Sequence, residues 1–265
     1  MPFSIFHRLK NRLAHTAYLA LLPIVPTLRE VRDAMEEENQ KRPSRTDILN
    51  YLLGICQSIS GKKETTYLEI GVRIPTANFS SIKAFKKFGV DPGIEAPSQD
   101  VDFRMTSDEF FKKLAGGEVL TPETRFDVVF IDGLHLAEQV DRDIANALRF
   151  TKDHGFVVLH DCNPPTEWFA REQYHFFRDH SRNCWNGSTW KAFLKWRSVS
   201  SISSCCIDTD WGVGILSKSL VLGPENTLPN PFYEYQVFSD NRVRMLNLFS
   251  FEELQRIVEA ALVKS

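Results

Sequence analysis

Two segments of the chain are apolar almost throughout and then end in an acidic residue: FDVVFID (residues 126–132) and GFVVLHD (residues 155–161). A strand that is apolar on both faces is buried on both faces, as happens in a parallel sheet that helices cover on either side. Helix-like segments separate the strand-like segments along the chain. The pattern therefore predicts an α/β fold with a doubly wound, mostly parallel sheet.

The alternation of strand and helix extends through most of the chain. Strands are predicted at 66–71, 88–92, 126–132 and 155–161, with a further strand that changes to a helix at Thr106 within 101–114 and a closing strand pair within 205–216. Helices are predicted at 46–59, 78–89, 106–114, 136–151 and after Ser250. The first should have a threonine or an aspartate as its cap and end at Gly61, and Thr106 with Glu109 and Ser250 with Glu253 match capping boxes. We therefore expect a core domain (61–218) between an N-terminal helical extension (1–60) and a C-terminal helical extension (219–265).

Polar residues gather at one end of the predicted strands. In open α/β sheets the ligand binds beyond the carboxyl ends of the strands. The residues at or just past such ends are Glu69, Asp91, Thr106, Asp132, His135, His160 and Asp161. Chain order alone therefore predicts that they share one rim of the sheet.

The composition limits the classes of function. The chain has 265 residues and a formal net charge of −2, so it lacks the basic surplus that binding to nucleic acid needs. Its five cysteines include no CxxC pair, which favours a reducing, cytoplasmic location over a disulfide framework. Motifs of a P-loop, a dinucleotide-binding glycine loop and an esterase nucleophile elbow are absent.

The first two strand ends each allow two interpretations. Glu69 and Gly71 form a turn where the backbone can approach a ligand closely, or they form a plain strand-to-helix turn. Asp91 is suited to accept both hydroxyls of a ribose, or it is a turn acid before Pro92.

The next two strand ends bring carboxylates and imidazoles together. Asp132 and Asp161, with Asn163, are suited to hold a hard divalent cation, or they begin turns. His135 and His160 are candidate bases, or hydrogen-bonded partners of these acids.

A tryptophan-rich segment follows. Trp185, Asn186 and Lys191 offer polar groups beside flat apolar surfaces, which suits a sugar or aromatic substrate, although tryptophans more often belong to the core. Asp208 and Asp210 are interpreted as turn residues between the two closing strands.

Five segments resemble, in this order, the class I S-adenosylmethionine-dependent methyltransferases, and within them the small-molecule branch called methyltransferase family 24. They are YLEIGV, FGVDP, RMTSDEFF, FDVVFIDGLHLAEQVDRDIANAL and GFVVLHDCNPP, and the resemblance covers residues 64–218. The first loop, GVRIPTA, departs from the family pattern because it has fewer glycines and contains Pro75.

The resemblance implies that S-adenosylmethionine is the cofactor and assigns it a set of residues. These are Glu69 and Gly71 beside the methionine part, Asp91 at the ribose, Thr106, Ser107 and Asp108 near the adenine, and Asp132 facing the transferred methyl group. Metal-dependent relatives hold Mg²⁺ with acids at the places of Asp132 and Asp161, and here Asn163 would complete the set.

The expected function is O-methylation of a carbohydrate or other polyhydroxyl small molecule, free or within a glycan. A sulfonium methyl group is already activated, so the enzyme must align a hydroxyl and remove its proton. Asp132, with His135 or His160 as the base, is the expected catalytic group. A non-catalytic scaffold and a hydroxylase-like enzyme on the same fold are the alternatives.

The two ends of the chain are apolar enough to pack. The first 30 residues mix apolar side chains with Arg8, Lys10 and Arg12, which fits a helix packed on the domain or on a second subunit, or one lying on a membrane surface. The C-terminal helix after Ser250 is predicted to pack with residues 3–28 and 46–59, within the chain or across a homodimer.

Overall fold

The computed structural model describes residues 26–96, 100–173 and 185–262, together with Thr16 and Leu21. A seven-stranded sheet has the order β2-β1-β3-β4-β6-β5-β7. The strands are β1 (Thr66–Ile70), β2 (Lys86–Val90), β3 (Phe126–Ile131), β4 (Thr151–Leu159), β5 (Ser203–Ile207), β6 (Val213–Ser217) and β7 (Leu248–Phe249).

Helices connect and flank these strands. They are α1 (Pro26–Gln40), α2 (Arg45–Ser60), α3 (Ser107–Gly116), α4 (Ala137–Phe150), α5 (Thr189–Arg197), α6 (Tyr235–Asp240), α7 (Arg242–Leu246) and α8 (Phe251–Leu262). Among these described helices, none is both long and apolar enough to cross a membrane.

The order of the strands sets the position of the site. β2, β1, β3 and β4 are mutually parallel neighbours, whereas β6 runs antiparallel to both β4 and β5. The chain leaves β1 toward β2 on one side and later returns to β3 on the other, so the carboxyl end of β1 is a topological switch point. The predicted doubly wound, mostly parallel sheet is confirmed.

Strand β3 illustrates how the apolar pattern builds the core. Val129 and Ile131 face one apolar layer, and Val128 and Phe130 face the other, because successive side chains alternate across a strand. Asp127 is the polar exception: its carboxylate is buried and accepts bonds from the backbone N–H of Thr66 at 2.7 Å and from Lys152 Nζ at 2.8 Å.

The predicted helix at 78–89 is wrong. The connection after β1 forms only two short 3-10 turns, Pro75–Ala77 and Phe79–Ser81, and β2 begins at Lys86. Pairing with β1 makes residues 86–90 a strand, so the tertiary contacts override the local periodicity of the second part of the predicted helix. Lys87 Nζ then donates to the carbonyl oxygens of Phe79, Ser80 and Ile82, and holds the turns against the strand.

The helix predicted at 46–59 is confirmed as α2, with a different N-cap. We expected a threonine or an aspartate as the cap, but Ser44 caps the helix and Asp47 returns a bond to the Ser44 backbone, which completes a capping box. Gly61 ends the helix in a left-handed conformation, as predicted.

The C-terminal extension packs on α2 within the chain. Ser250 and Glu253 form the predicted capping box of α8. Leu254 and Val258 of α8 lie in the same apolar cluster as the buried side chains of α2. The extension also supplies β7, which pairs with β5. Apart from Thr16 and Leu21, residues 3–25 lie outside the described residues, so the expected contact with them stays a prediction.

Arg197 joins the C-terminal extension to the core. Its side chain is 1% exposed, and it donates to the carbonyl oxygens of Met245 (3.1 Å), Ser204 (2.7 Å) and Pro224 (3.0 Å). One buried guanidinium therefore satisfies acceptors from three separate segments.

Replacing Arg197 by methionine should destabilise the protein strongly. The carbonyl oxygens of Met245 and Ser204, both buried residues, would each lose a bond from a charged donor, which is worth about 1.5–3 kcal/mol. We expect the free energy of unfolding in urea to fall by at least about 3 kcal/mol. The matched variant Arg244→Met, at an exposed arginine, should change it by no more than about 0.5 kcal/mol. Equal effects of both variants would contradict the role of Arg197.

Candidate active site

The polar residues after β3 and β4 meet at the carboxyl edge of the sheet. Asp132 directly follows β3, and its backbone N–H donates to the carbonyl oxygen of Ile70 at the end of β1 (2.9 Å). His160 and Asp161 directly follow β4, and the His160 backbone N–H donates to the carbonyl oxygen of Ile131 (3.1 Å). The ladder of the parallel sheet thus continues into the site.

His135 lies between two carboxylates. Its Nδ1 is 2.8 Å from Asp161 Oδ2, and its Nε2 is 3.7 Å from Asp132 Oδ1. The Nδ1 contact is a close charge contact that lacks hydrogen-bond geometry. The indole ring of Trp185 stacks on the imidazole, with the ring centroids 5.3 Å apart. His135 keeps 21% of its side chain exposed, so it is the imidazole that a substrate can reach.

His160 is enclosed more completely, with 7% of its side chain exposed. Its Nδ1 lies 3.3 Å from Asp132 Oδ1 and 3.0 Å from Asp161 Oδ2, while its Nε2 lies 3.1 Å from Asp210 Oδ1. Arg45 Nη1 is 2.7 Å from the same Nε2. A guanidinium only donates, so Nε2 accepts from Arg45 when it carries no proton, and Asp210 is the acceptor when it does.

The cluster contains three carboxylates and three basic groups. Burial alone would raise the pKa of Asp132 and of Asp161, but His160 and the other neighbouring cations lower both below the ordinary value. For His135, burial alone would lower the pKa, because it disfavours the charged imidazolium. Asp161 and Asp132 raise this pKa more, so it lies above the usual range. Opposite charges therefore hold the acids ionised and favour the imidazolium form of the histidine.

Two glycines allow other loops to approach the loop at 132–135. Gly71 has φ +91°, and a Cβ there would lie 2.1 Å from the Asp132 carbonyl oxygen. Gly187 has φ +60°, and a Cβ there would lie 2.1 Å from the carbonyl oxygen of His135. At Gly71 the structure shows a close approach to the Asp132 backbone, which fixes the position of the loop at 132–135.

Two acids of the cluster have strained backbone conformations. Asp161 (φ 62°) and Asp210 (φ 46°) both adopt a left-handed conformation that non-glycine residues rarely take. Strain of this kind persists where the surroundings impose it, and it collects at functional sites.

The two acids assigned to the cofactor lie at the ends of β1 and β2. Glu69 is 2% exposed and accepts bonds from Tyr67 Oη (2.6 Å) and Asn78 Nδ2 (2.8 Å). Asp91 accepts bonds from the backbone N–H groups of Arg73 (2.8 Å) and Gly93 (2.6 Å). One carboxylate thus joins the loop after β1 to the loop after β2.

The residues assigned to the adenine lie at the start of α3. Thr106 caps this helix by accepting the Glu109 N–H, as predicted from the sequence. Ser107 is buried and Asp108 is exposed, and Gln139 Nε2 donates to both side chains, at 3.1 and 3.2 Å.

The structure does not bring Asn163 into the cluster. Its Nδ2 donates to Asp208 Oδ1 (3.1 Å) and its Oδ1 accepts from Arg242, so the amide is occupied on the far side of the loop. The three ligand-type groups that do lie together, within 4.8 Å of one another, are Asp132, His135 and Asp161.

The three residues assigned to a substrate have different surroundings. Trp185 lies over His135 and donates its Nε1 hydrogen to the carbonyl oxygen of Arg171 (2.6 Å). Asn186 is fully buried, and its Nδ2 donates to the Trp211 carbonyl oxygen (3.1 Å). Lys191 is partly exposed and lies 3.5 Å from Glu172.

Sequence analysis missed Arg45 and Asp210. Asp210 follows β5, which runs parallel to β4 because both are antiparallel to β6, so its carboxyl end belongs to the same rim. The acid after the apolar CCI segment could therefore have been assigned to this rim, if the direction of that strand had been known from the sequence. Arg45 begins a helix of the N-terminal extension, and no local pattern distinguishes it from a surface arginine.

A cavity of about 440 Å³ lies elsewhere, beside β2. Its lining includes Val72, Phe79, Lys87, Gly89 and Asp102, and none of the clustered acids or histidines lines it. We therefore assign the chemistry to the cluster and not to this cavity.

Comparisons with known proteins agree with the resemblance. A family model described as "Methyltransferase domain" matches residues 78–162, from the loop after β1 to the end of β4. This match confirms the predicted resemblance to methyltransferases for that part of the chain. No curated protein matches the chain.

Distant neighbours among solved structures are also described as methyltransferases. An O-methyltransferase from Bacillus cereus in complex with SAH is 12% identical, with 77% of this chain and 97% of that chain covered and a TM-score of 0.42. An SAH-bound Podospora anserina methyltransferase is 16% identical, with 78% and 96% covered and a TM-score of 0.40. Because both scores lie below 0.5, the fold assignment depends on the strand order of the chain itself.

Another neighbour is a methyltransferase from the mycinamycin biosynthetic pathway, in complex with Mg, SAH and mycinamycin VI. It is 16% identical, with 67% of this chain and 50% of that chain covered and a TM-score of 0.38.

The variant Glu69→Gln should make stability less dependent on pH. Burial raises the pKa of Glu69 from 4.5 to about 7. The folded state therefore binds an extra proton between these pH values, and the wild type loses stability as the pH rises through that window. The neutral variant lacks this loss. Between pH 5 and pH 8, the free energy of unfolding of Glu69→Gln in urea should therefore rise by on the order of 3 kcal/mol relative to that of the wild type.

The exposed Glu64 provides a control for this measurement. Glu64→Gln should leave the difference from the wild type constant over the same pH range. A constant difference for Glu69→Gln as well would contradict a buried, protonated Glu69.

Proposed function

We propose that this chain, whose residues 78–162 match the methyltransferase-domain family, is an O-methyltransferase that uses S-adenosylmethionine. The acceptor that we propose is a hydroxyl group of a carbohydrate or another polyhydroxyl small molecule. The observation that carries the proposal is the reachable imidazole of His135, held between Asp132 and Asp161 at the carboxyl edge of the sheet.

The residues of the switch point fit the cofactor. S-adenosylmethionine presents an ammonium group and two ribose hydroxyls, all of which donate to carboxylates. The buried carboxyl of Glu69 ends β1, and that of Asp91 follows β2, the adjacent strand. Glu69 would hold the ammonium group and Asp91 the ribose, and the bound cofactor would supply an activated methyl group.

His135 is the base in this proposal. The hydroxyl of a sugar is a weak acid, so its proton must leave as the methyl group arrives. The acids raise the pKa of His135, so the base is its neutral form, which takes the proton and becomes the imidazolium that Asp161 and Asp132 stabilise. His160 is less exposed and contacts charged groups on both sides, so we assign it to holding the two carboxylates.

The surroundings of His135 support a carbohydrate acceptor. The indole ring of Trp185 lies over the imidazole and provides a flat apolar surface beside the base. A small number of polar groups next to such a surface orients a ligand in a binding site. Lys191, partly exposed and near Glu172, adds a further polar group on the same segment of the chain.

The donor set does not fit magnesium. Mg²⁺ prefers six oxygen ligands in octahedral geometry. The candidate cluster offers two carboxylates and an imidazole, and Asn163 directs its amide elsewhere. Nitrogen atoms of His135, His160 and Arg45 already lie within 4 Å of the Asp132 and Asp161 carboxylates. We derive no catalytic step through this ion.

Calorimetry with S-adenosylmethionine or its demethylated product tests the cofactor. We expect one bound molecule per chain, and Asp91→Ala should weaken binding by about 10–100-fold because a charge-assisted bond is worth about 1.5–3 kcal/mol. The exposed Asp153, outside the site, provides the control Asp153→Asn, which should bind as the wild type does. No binding of either compound at millimolar concentration would end the proposal.

Methyl transfer to a panel of monosaccharides and glycosides tests the base. His135→Gln should lower kcat by about 10²–10⁴-fold and leave the affinity for S-adenosylmethionine within about two-fold, because a base acts in the transfer step. His154→Gln, at a histidine outside the cluster, is the matched control and should retain activity. Full activity of His135→Gln would refute the assignment.

A further inference from the structure

We infer that Arg45 occupies the role of a divalent cation in this site: its fixed guanidinium compensates the carboxylates, and the site functions without a bound metal ion. The claim that Arg45 compensates the carboxylates and excludes a metal ion depends only on the positions and charges of these residues. Its consequence for catalysis rests on the proposed function.

The position of Arg45 is the first argument. Its Nη1 lies 3.3 Å from Asp210 Oδ1, and its Nε lies 3.9 Å from Asp132 Oδ2. The same guanidinium lies 2.7 Å from His160 Nε2. One permanently charged side chain thus reaches the end of β3, the end of β4 and the loop after β5.

The anchoring of Arg45 is the second argument. Its backbone N–H donates to Asp210 Oδ2 at 2.7 Å, so the same aspartate holds both its main chain and its side chain. Arg45 follows Ser44, whose capping box with Asp47 fixes the start of α2. The amino end of this 16-residue helix also carries a partial positive charge toward the cluster. The main chain from which the guanidinium extends is therefore fixed beside the cluster.

Charge balance is the third argument. The carboxylates of Asp132, Asp161 and Asp210 face three basic groups, Arg45, His135 and His160, and the two histidines are charged only when they are protonated. A guanidinium keeps its charge at every pH that a protein tolerates. A divalent ion added to Asp132 and Asp161 would meet this fixed charge in a poorly solvated place, where like charges repel strongly.

The consequence is a positioning role for a residue outside the predicted core domain. Arg45 does not touch the reacting atoms; it holds His160 and the carboxylates in the arrangement that supports His135. Removing its charge should leave the carboxylates undercompensated, and a metal ion should then bind where none binds in the wild type.

Titration with Mn²⁺ of the untagged, full-length protein after treatment with EDTA tests this inference, with free Mn²⁺ measured by electron paramagnetic resonance. The proteins are the wild type, Arg45→Met, Arg45→Gln, the charge-conserving Arg45→Lys and the exposed control Arg244→Met. We expect the wild type, Arg45→Lys and Arg244→Met to bind Mn²⁺ no more tightly than about 1 mM. Arg45→Met and Arg45→Gln should each gain one site at least about ten-fold tighter.

The gained site must belong to the cluster. Adding Asp161→Asn to Arg45→Met should abolish it, whereas adding Asp153→Asn, at an exposed aspartate, should not. Circular dichroism and thermal unfolding verify that each variant is folded, and Arg45→Gln replaces Arg45→Met if the latter does not fold. Tight binding of Mn²⁺ or Mg²⁺ by the wild type that Asp161→Asn abolishes would overturn the inference. Failure of both neutral variants to gain a site would overturn it as well.

Activity provides a separate readout. Once an acceptor has been identified, the rate of methyl transfer by the wild type should be unaffected by EDTA. Arg45→Met should be impaired in EDTA, with Mn²⁺ restoring part of its kcat and Arg45→Lys retaining more activity than Arg45→Met. If the protein does not bind S-adenosylmethionine, the proposed function fails, but the Mn²⁺ titrations still decide whether Arg45 excludes the metal.

Discussion

The juxtaposition of Asp132 and Asp161 is the constraint on which the rest of the site depends. Two ionised carboxylates at adjacent strand ends repel each other and lose hydration on burial, so their ionisation requires compensating charge nearby. His135 and His160 supply part of that charge, and both lie within 4 Å of the two acids. Arg45 supplies a further positive charge, and Asp210, a third carboxylate, pairs with Arg45 and His160. The pKa of His135, raised by these acids, follows from the same balance.

Close backbone packing holds these charges in place. Gly71 and Gly187 let the loops after β1 and before α5 approach the backbone of Asp132 and His135 to distances that any side chain would prevent. The left-handed conformation of Asp161 belongs to the same packed arrangement. A rigid sheet edge therefore carries an acid–histidine cluster whose outer imidazole still reaches solvent, which is the arrangement that a transfer of a proton to His135 requires.

The sequence predicted the strands better than the connections. β1, β3 and the second half of β4 (residues 155–159) are mostly apolar on both faces, so their burial could be recognised without any partner, and the acids at their ends could be assigned to one rim. The helix expected at 78–89 failed because pairing of β2 with β1 takes up residues from Lys86 onward, and periodicity contains no information on that pairing. The surroundings of Asn163 and Asn186 could not be predicted for a related reason: the direction of an amide depends on distant partners such as Arg242 and Trp211.

The amino-acid sequence by itself determined the fold class, the rim that bears the site and the presence there of Asp132, His135, His160 and Asp161. These features are local, because they follow from hydrophobic pattern, strand direction and chain order. Only the tertiary structure decided which groups compensate the charge. Arg45 and Asp210 are 165 residues apart in the chain, yet they bond to each other and both contact His160. Coulombic energy depends on distance in space, and no pattern along the chain encodes a contact between an N-terminal helix and the loop after β5.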